Sequence, residues 1–197
     1  MSQELEQLVV KVEEYQRNRY FGKYRGEVKA VGEGENLGKI QVTVPEVYGG
    51  GTDEIESPWA EPCVPFAGEG HGFLALPEVN DRVWVEFEAG DISHPIWTGF
   101  FWRRDVPIPE PKGVSVRAFI TSKGHKLIFD DDAREIHLLH SDGPEVAMTK
   151  DEITIKIGQA SITMSKSEIS LKAGSAGTIK ISADGVDIGN GAVKTSR

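Results

Sequence analysis

Along the last third of the chain apolar and polar residues alternate with a period of two: Ile153/Ile155/Ile157, Ile162/Met164, Ile169/Leu171, Ile179/Ile181 and Val186/Ile188. Such alternation marks strands with one buried face. The pattern also repeats at longer range. Residues 148–156 align with 164–172 and then with 181–188, at offsets of 16 and 17 residues. A fixed period over several copies predicts a stacked β array rather than an ordinary globular domain. The first buried residues of successive strands fall at Ile136, Val146, Ile153, Ile162, Ile169, Ile179 and Val186, so each unit holds two short strands. Lys150-Asp151, Lys166-Ser167 and Asp184-Gly185 mark tight corners. Ser141-Asp142-Gly143-Pro144, Gly158-Gln159-Ala160 and Gly174-Ser175-Ala176-Gly177 mark looser ones. These are residue types that turns demand.

A single-chain β-helix coil needs about 20 residues or more to run round its faces. A unit of 16 or 17 residues offers only two short apolar faces and does not enclose a core. Closure by oligomerisation follows as an expectation, with three chains winding together and each supplying one wall. A flat two-sheet solenoid is the open alternative.

Upstream the patterns differ. Leu5, Leu8, Val9, Val12 and Tyr15 fall on one face of a helix over 3–17, with Glu4 and Glu6 early and Lys11, Arg17 and Arg19 late, matching the helix dipole. Either it docks on something else or it packs on its own domain. Strands are predicted at 24–31, 38–45, 72–76, 82–88 and 95–101, separated by Gly-, Asn- and Asp-containing turns. Five short strands in this length suit a small closed barrel. Val106-Pro107-Ile108-Pro109-Glu110-Pro111 then reads as a stiff extended connector. The predicted organisation is a helical segment at 1–19, a barrel at 20–105, a connector at 106–117 and the repetitive array at 118–197. The fold class is all-β.

Composition narrows the function classes. A net charge of −9 argues against nucleic-acid binding, which needs a basic surface. It argues equally against docking on an anionic membrane. The one cysteine, Cys63, excludes an intrachain disulfide and is expected to be a buried small hydrophobe. The N-terminus carries no basic and apolar leader pattern, and no stretch approaches transmembrane length, so synthesis in the cytoplasm without a signal peptide is expected.

Candidate chemistry is sparse. At His137-x-x-His140 on a strand the two side chains point to opposite faces and cannot chelate one ion within a chain. His125 reads as structural, and His71 and His94 stand in no triad pattern. Asp130-Asp131-Asp132 lacks the rest of a calcium loop and reads as a solvated turn. Gly32-x-Gly34 and Gly49-Gly50-Gly51 lack the Lys-Ser/Thr of a phosphate loop. Glu86 and Glu88 share a predicted strand face without an argument for acid–base work. Trp59, Trp84, Trp97 and Trp102 would suit a sugar platform, but Trp84 and Trp97 lie in alternating strands and are expected in the core. No catalytic, cofactor or metal residue is assigned.

One segment is specific enough to carry a resemblance. Trp59-Ala60, the run Leu76-Pro77-Glu78-Val79-Asn80-Asp81-Arg82-Val83, then Phe87-Glu88-Ala89-Gly90-Asp91 with Pro95 and Gly99, resemble the OB-fold domain of phage baseplate assembly protein V. That domain is shared by contractile-phage spikes and by the valine-glycine-repeat proteins of type VI secretion. Asn80 stands where the family usually has glycine. Ser122-Lys123-Gly124-His125-Lys126-Leu127-Ile128-Phe129-Asp130 is similar to the start of the family's β-helix.

The resemblance spans roughly residues 20–190 and implies a five-stranded OB barrel followed by an intertwined trimeric β-helix shaped as a triangular prism. It implies a structural homotrimer, the central spike of a contractile phage tail or injection system, which pierces a target cell envelope when the sheath contracts. A lysozyme domain between barrel and needle and an apical His-x-His iron site, both found in some relatives, have no counterpart in these residues. A separate hub protein and a PAAR-like tip protein are the implied partners, with helix 3–17 a candidate for touching the hub. The particle is the implied location. Two rivals stand beside this reading: a carbohydrate- or envelope-binding trimeric adhesin, and a β-helical polysaccharide-degrading enzyme.

Overall fold

The computed structural model describes residues 3–50, 54–175 and 177–195. Met1, Ser2, Gly51, Ala176, Ser196 and Arg197, which enter the readings of the chain ends, a glycine-rich loop and one looser corner, lie outside these. The chain divides into two units between Pro107 and Ile108, inside the proline-rich stretch.

In the first unit the amphipathic pattern produces α1 (Gln3–Arg17), none of whose residues is buried. Then come β1 (Tyr24–Val31), β2 (Ile40–Thr43), the short α2 (Pro45–Tyr48), the two-residue strands β3 (Glu61–Pro62), β4 (Ala67–Gly68) and β5 (His71–Gly72), β6 (Arg82–Phe87) and β7 (Pro95–Phe100). Five strands form one curled sheet in the order β2-β1-β6-β7-β3, with β4 and β5 a separate small hairpin. Isolated bridges from Ile40 to Ala60 and from Thr43 to Glu56 bring the chain preceding β3 back against β2. A sheet whose first strand meets the approach to its last is the OB-type barrel the sequence predicts.

Alternation explains the core. Along β6, Val83, Val85 and Phe87 are buried while Arg82, Trp84 and Glu86 face outward. They pack with Val28, Ile40, Val42, Val44, Ala60 and Trp97. Trp97 is 2% exposed and its Nε1 donates to the Gly38 carbonyl at 3.0 Å, so its one polar atom is satisfied. Buried Ser57 accepts from the Val42 amide through Oγ at 3.1 Å and donates to the Pro58 carbonyl at 2.7 Å. Gly26 is required on β1, because a Cβ there would lie 2.9 Å from Val85 Cγ2.

Three expectations change here. Residues 72–76 do not make a full strand; only His71–Gly72 pairs, and Phe73 and Leu74 are exposed. Trp84 leaves the core because its strand parity is that of Arg82 and Glu86; it lies against Phe101, with the Arg25 guanidinium 5.4 Å from its ring. Cys63 is exposed rather than buried, since its amide is taken by the Trp97 carbonyl at 2.9 Å beyond the end of β3, where no second layer covers the side chain.

The second unit is one ten-stranded antiparallel meander: β8 (Val116–Ile120), β9 (Lys126–Asp130), β10 (Glu135–Leu139), β11 (Glu145–Met148), β12 (Glu152–Ile157), β13 (Ala160–Ser165), β14 (Glu168–Ala173), β15 (Gly177–Ser182), β16 (Gly185–Ile188) and β17 (Val193–Thr195), each paired with the next. The strands of every repeat lie side by side in a single sheet, so the two-sheet solenoid is not what the chain adopts. Its tight corners share one device. Thr149 Oγ1 accepts from the amides of Asp151 and Glu152, and Ser165 Oγ from those of Ser167 and Glu168. Ser182 Oγ accepts from Asp184, and Asp130 Oδ1 from Asp132 and Ala133. A short hydroxyl or carboxylate that closes its own turn is why these positions recur.

Candidate functional site

Register turns the alternation of single strands into a surface. Ile136 pairs with Met148, Met148 with Ile153, and so on through Met164, Ile169, Ile181 and Val186. A second row runs through Leu138, Val146, Ile155, Ile162, Leu171, Ile179, Ile188 and Val193. Both rows lie on one face, because every register joins residues of the same parity. Most of their members are exposed: Leu138 is 56% exposed, Met164 49% and Ile162 43%. A shallow apolar trough crosses this face between Ile155, Ile162, Leu171, Ile179 and Ile188.

The opposite face is polar. Its central row is His137, Ala147, Thr154, Thr163, Ser170, Lys180 and Asp187. His137 sits between two carboxylates, with Nε2 3.0 Å from Glu135 and Nδ1 2.8 Å from Glu145. The Glu135 hydrogen bond, then that of Glu145, raises the His137 pKa above its ordinary value. A monomer rarely leaves a contiguous apolar patch of more than a few hundred Å2 open to water. Two rows of Ile, Leu, Val and Met, uninterrupted from Ile136 to Val186 and from Leu138 to Val193 and flanked in the first by Arg117 and Thr195, form a surface built to be covered.

The residues weighed for chemistry are drawn elsewhere. His137 and His140 have separate partners. His140 lies against His125 with ring centroids 4.4 Å apart and planes tilted by 59°, and each accepts a backbone amide of the turn after β10 through Nδ1 (Ser141 on His125, Asp142 on His140). Asp130 closes a turn, and Asp131 and Asp132 bind Arg117 and Ser115. Asp91 accepts from Ser93 Oγ at 2.5 Å, which with the Ser93 amide holds its carboxyl below the usual range. The Ser93 hydroxyl also lies 3.4 Å from His94 Nδ1, but it directs its proton to Asp91. Glu86 pairs with Lys23 at 2.9 Å, while Glu88 leaves the strand for a 3-10 turn, so the two carboxylates do not share a face. Among the described residues no group of three or more His, Cys, Asp or Glu side chains is placed to hold a metal ion. His71 Nδ1 donates to the Glu69 carbonyl within its own hairpin, 3.0 Å away.

A small barrel followed by a meander with one open apolar face is the architecture of a self-associating β shaft. Comparison with known proteins gives that class a family. Residues 24–102 match the Type VI secretion system/phage-baseplate injector OB domain, and residues 117–175 match the phage baseplate V C-terminal trimerisation domain. The two matches follow one another in order and together span more than half the chain; the protein belongs to the phage baseplate V spike family.

Curated relatives agree. The actin cross-linking toxin VgrG1 of Vibrio cholerae is 32% identical over 123 residues, covering 55% of this chain and 11% of that protein. The type VI secretion system spike protein VgrG3 of the same species is 31% identical over 115 residues, 54% of this chain and 11% of its own length. The spike protein VgrG2a of Pseudomonas aeruginosa is 27% identical over 109 residues, covering 52% and 13%. The chain thus spans about a tenth of the length of these relatives. No helix among the described residues is long and apolar enough to cross a membrane.

Proposed function

We propose that three copies of this chain assemble as the central spike of the baseplate of a contractile phage tail or injection system, and that the C-terminal sheets close on one another as the shaft that breaches the target envelope. The observation that carries this is the pair of apolar rows on the second sheet, which begin in the segment 117–175 that matches a trimerisation domain and run on past it. Covering half of an isoleucine side chain contributes roughly 1 kcal/mol. Over two rows that sum makes separated chains unfavourable. Strands paired in an unbroken meander and packed on their apolar side give a stiff shaft that comes apart slowly.

The role is mechanical rather than catalytic. Residence in the assembled particle is supported by the baseplate and spike descriptions of the family and its relatives; a separate hub protein at the barrel and a PAAR-like tip protein at the far end of the shaft complete the proposal and rest on the resemblance of the sequence alone. Light scattering of the purified chain, repeated by electrophoresis in unheated SDS, tests it. A particle of three chain masses that persists in SDS is the expected result. A monomer would sink the spike reading.

A further inference from the structure

Helix α1 carries an exposed apolar stripe, with the Arg19 guanidinium 5.3 Å from the ring of its last member, Tyr15. Leu5, Leu8, Val12 and Tyr15 are 46%, 59%, 48% and 57% exposed. Their spacing is three, four, three, which is the a and d seam of a two-heptad coiled coil. Val9 falls at the flanking e position and is also exposed, which widens the seam from a two-helix contact towards one that faces two neighbours. The flank positions carry no repeated like charge that would hold parallel copies apart; Glu4, Lys11 and Gln16 alternate in character.

The helix is not a loose tail at its C-terminal end. The Tyr20 amide donates to the Gly90 carbonyl at 2.9 Å, and Arg19 Nη1 reaches Asp91 at 3.4 Å. Gly90, at φ 77, accepts this approach because a Cβ there would lie 3.1 Å from Arg19 Cβ and the Tyr20 nitrogen. Each barrel therefore holds one helix a few residues from its surface.

From this spacing and tethering we infer that the α1 helices of three copies pack on one another as a short parallel coiled coil, a second self-association element at the opposite end of the chain from the shaft. The occupant of the stripe is a second and third copy of this same helix. A 15-residue helix by itself is marginal, since isolated helices below about 12–15 residues seldom persist in water. Three copies already joined through another domain meet at an effective concentration on the order of millimolar, which makes the packing an intramolecular event. The number three comes from the trimerisation domain. The seam itself, with Leu5 and Val12 at a and Leu8 and Tyr15 at d, does not select it. The inference thus rests on the proposed trimer.

The test uses the full chain with Cys63→Ser, because Cys63 is exposed and would react. Leu8→Cys places a thiol in the seam, and Val10→Cys places one on the opposite side of the helix. Mild oxidation of the Leu8→Cys trimer is expected to link two of the three chains in nearly every particle, at least tenfold faster than the Val10→Cys trimer. Linking of both Leu8→Cys and Val12→Cys no faster than that of Val10→Cys, in particles that light scattering shows to be trimeric, would overturn the coiled coil and leave the shaft reading intact. A monomeric mass for the parent chain would overturn both. Val12→Cys is the second variant: linking there but not at residue 10 supports the seam even if Leu8→Cys disturbs the helix.

Discussion

Asn80 shows how much one backbone angle decides. It sits at φ 77, in the left-handed region, between Glu78 and Asp81 at the turn into β6, and its amide donates to the Val28 carbonyl at 2.9 Å. This is why a glycine is usual at the matching position and why asparagine replaces it at small cost. Asn80→Ala is expected to destabilise the barrel unit by about 1 kcal/mol, and Asn80→Gly to be near neutral, as read by denaturant midpoints. His137 illustrates charge at the same scale. With its pKa raised by Glu135 and Glu145, the contribution of this cluster is full when the imidazole is charged, below about 6.5. It is lost as pH rises through the raised folded value. The cross-strand neighbours of His137 on that face, Ile128 and Ala147, carry no charge to oppose it. Thermal stability of the shaft unit is therefore expected to fall from mildly acidic to mildly alkaline pH. His137→Gln should flatten that slope. An unchanged slope would show that other groups set it.

At the scale of the element, the β meander is held by turns and completed by partners. The tight hairpin corners are closed by their own Ser, Thr or Asp, and each strand pairs with the next, so the sheet forms from local contacts between consecutive strands. Local pairing favours rapid formation of the sheet itself. What the sheet lacks is a second layer. Ile162 stands in the middle of its apolar row, between Ile155 and Leu171. Ile162→Asp puts a charge into the face that copies would share. Burying an unpaired carboxylate costs several kcal/mol, so the substitution should convert the trimer to monomers by light scattering while the barrel unit keeps its near-ultraviolet tryptophan signal. A trimer that survives Ile162→Asp would show that this face is not the joint. Lys166 and Asp151 lie 2.9 Å apart across neighbouring corners, but both are more than 70% exposed and the pair adds little.

For the whole molecule the two units solve the burial problem differently. The barrel unit buries Trp97, Val85, Ile40 and their neighbours within one chain. The shaft unit buries little by itself: among the described residues, Ile128 at 8% exposure is its one buried large apolar side chain. A chain that encloses one core and leaves another open gains most of its remaining hydrophobic stabilisation on assembly, and its stability becomes dependent on protomer concentration. The outward-facing helix α1 belongs to the same economy, with its stripe exposed in one chain and repeated in each copy.

Much of this was legible from the chain because strands and helices have fixed periods. The alternation at 153–157 and 179–181, the helix at 3–17 and the strand at 24–31 follow from periodicity, and the order of the two domains follows from local motifs. The sequence by itself also excluded a disulfide within these 197 residues, since Cys63 is their one cysteine. Tertiary structure decided what periodicity does not contain. Parity relative to the barrel interior put Trp84 outside and Trp97 inside, and the absence of a second layer left Cys63 exposed. Cross-strand register aligned the isoleucines of successive strands into two rows on one face. Alternation says which residues share a face of one strand, but only pairing between strands determines whether those faces coincide.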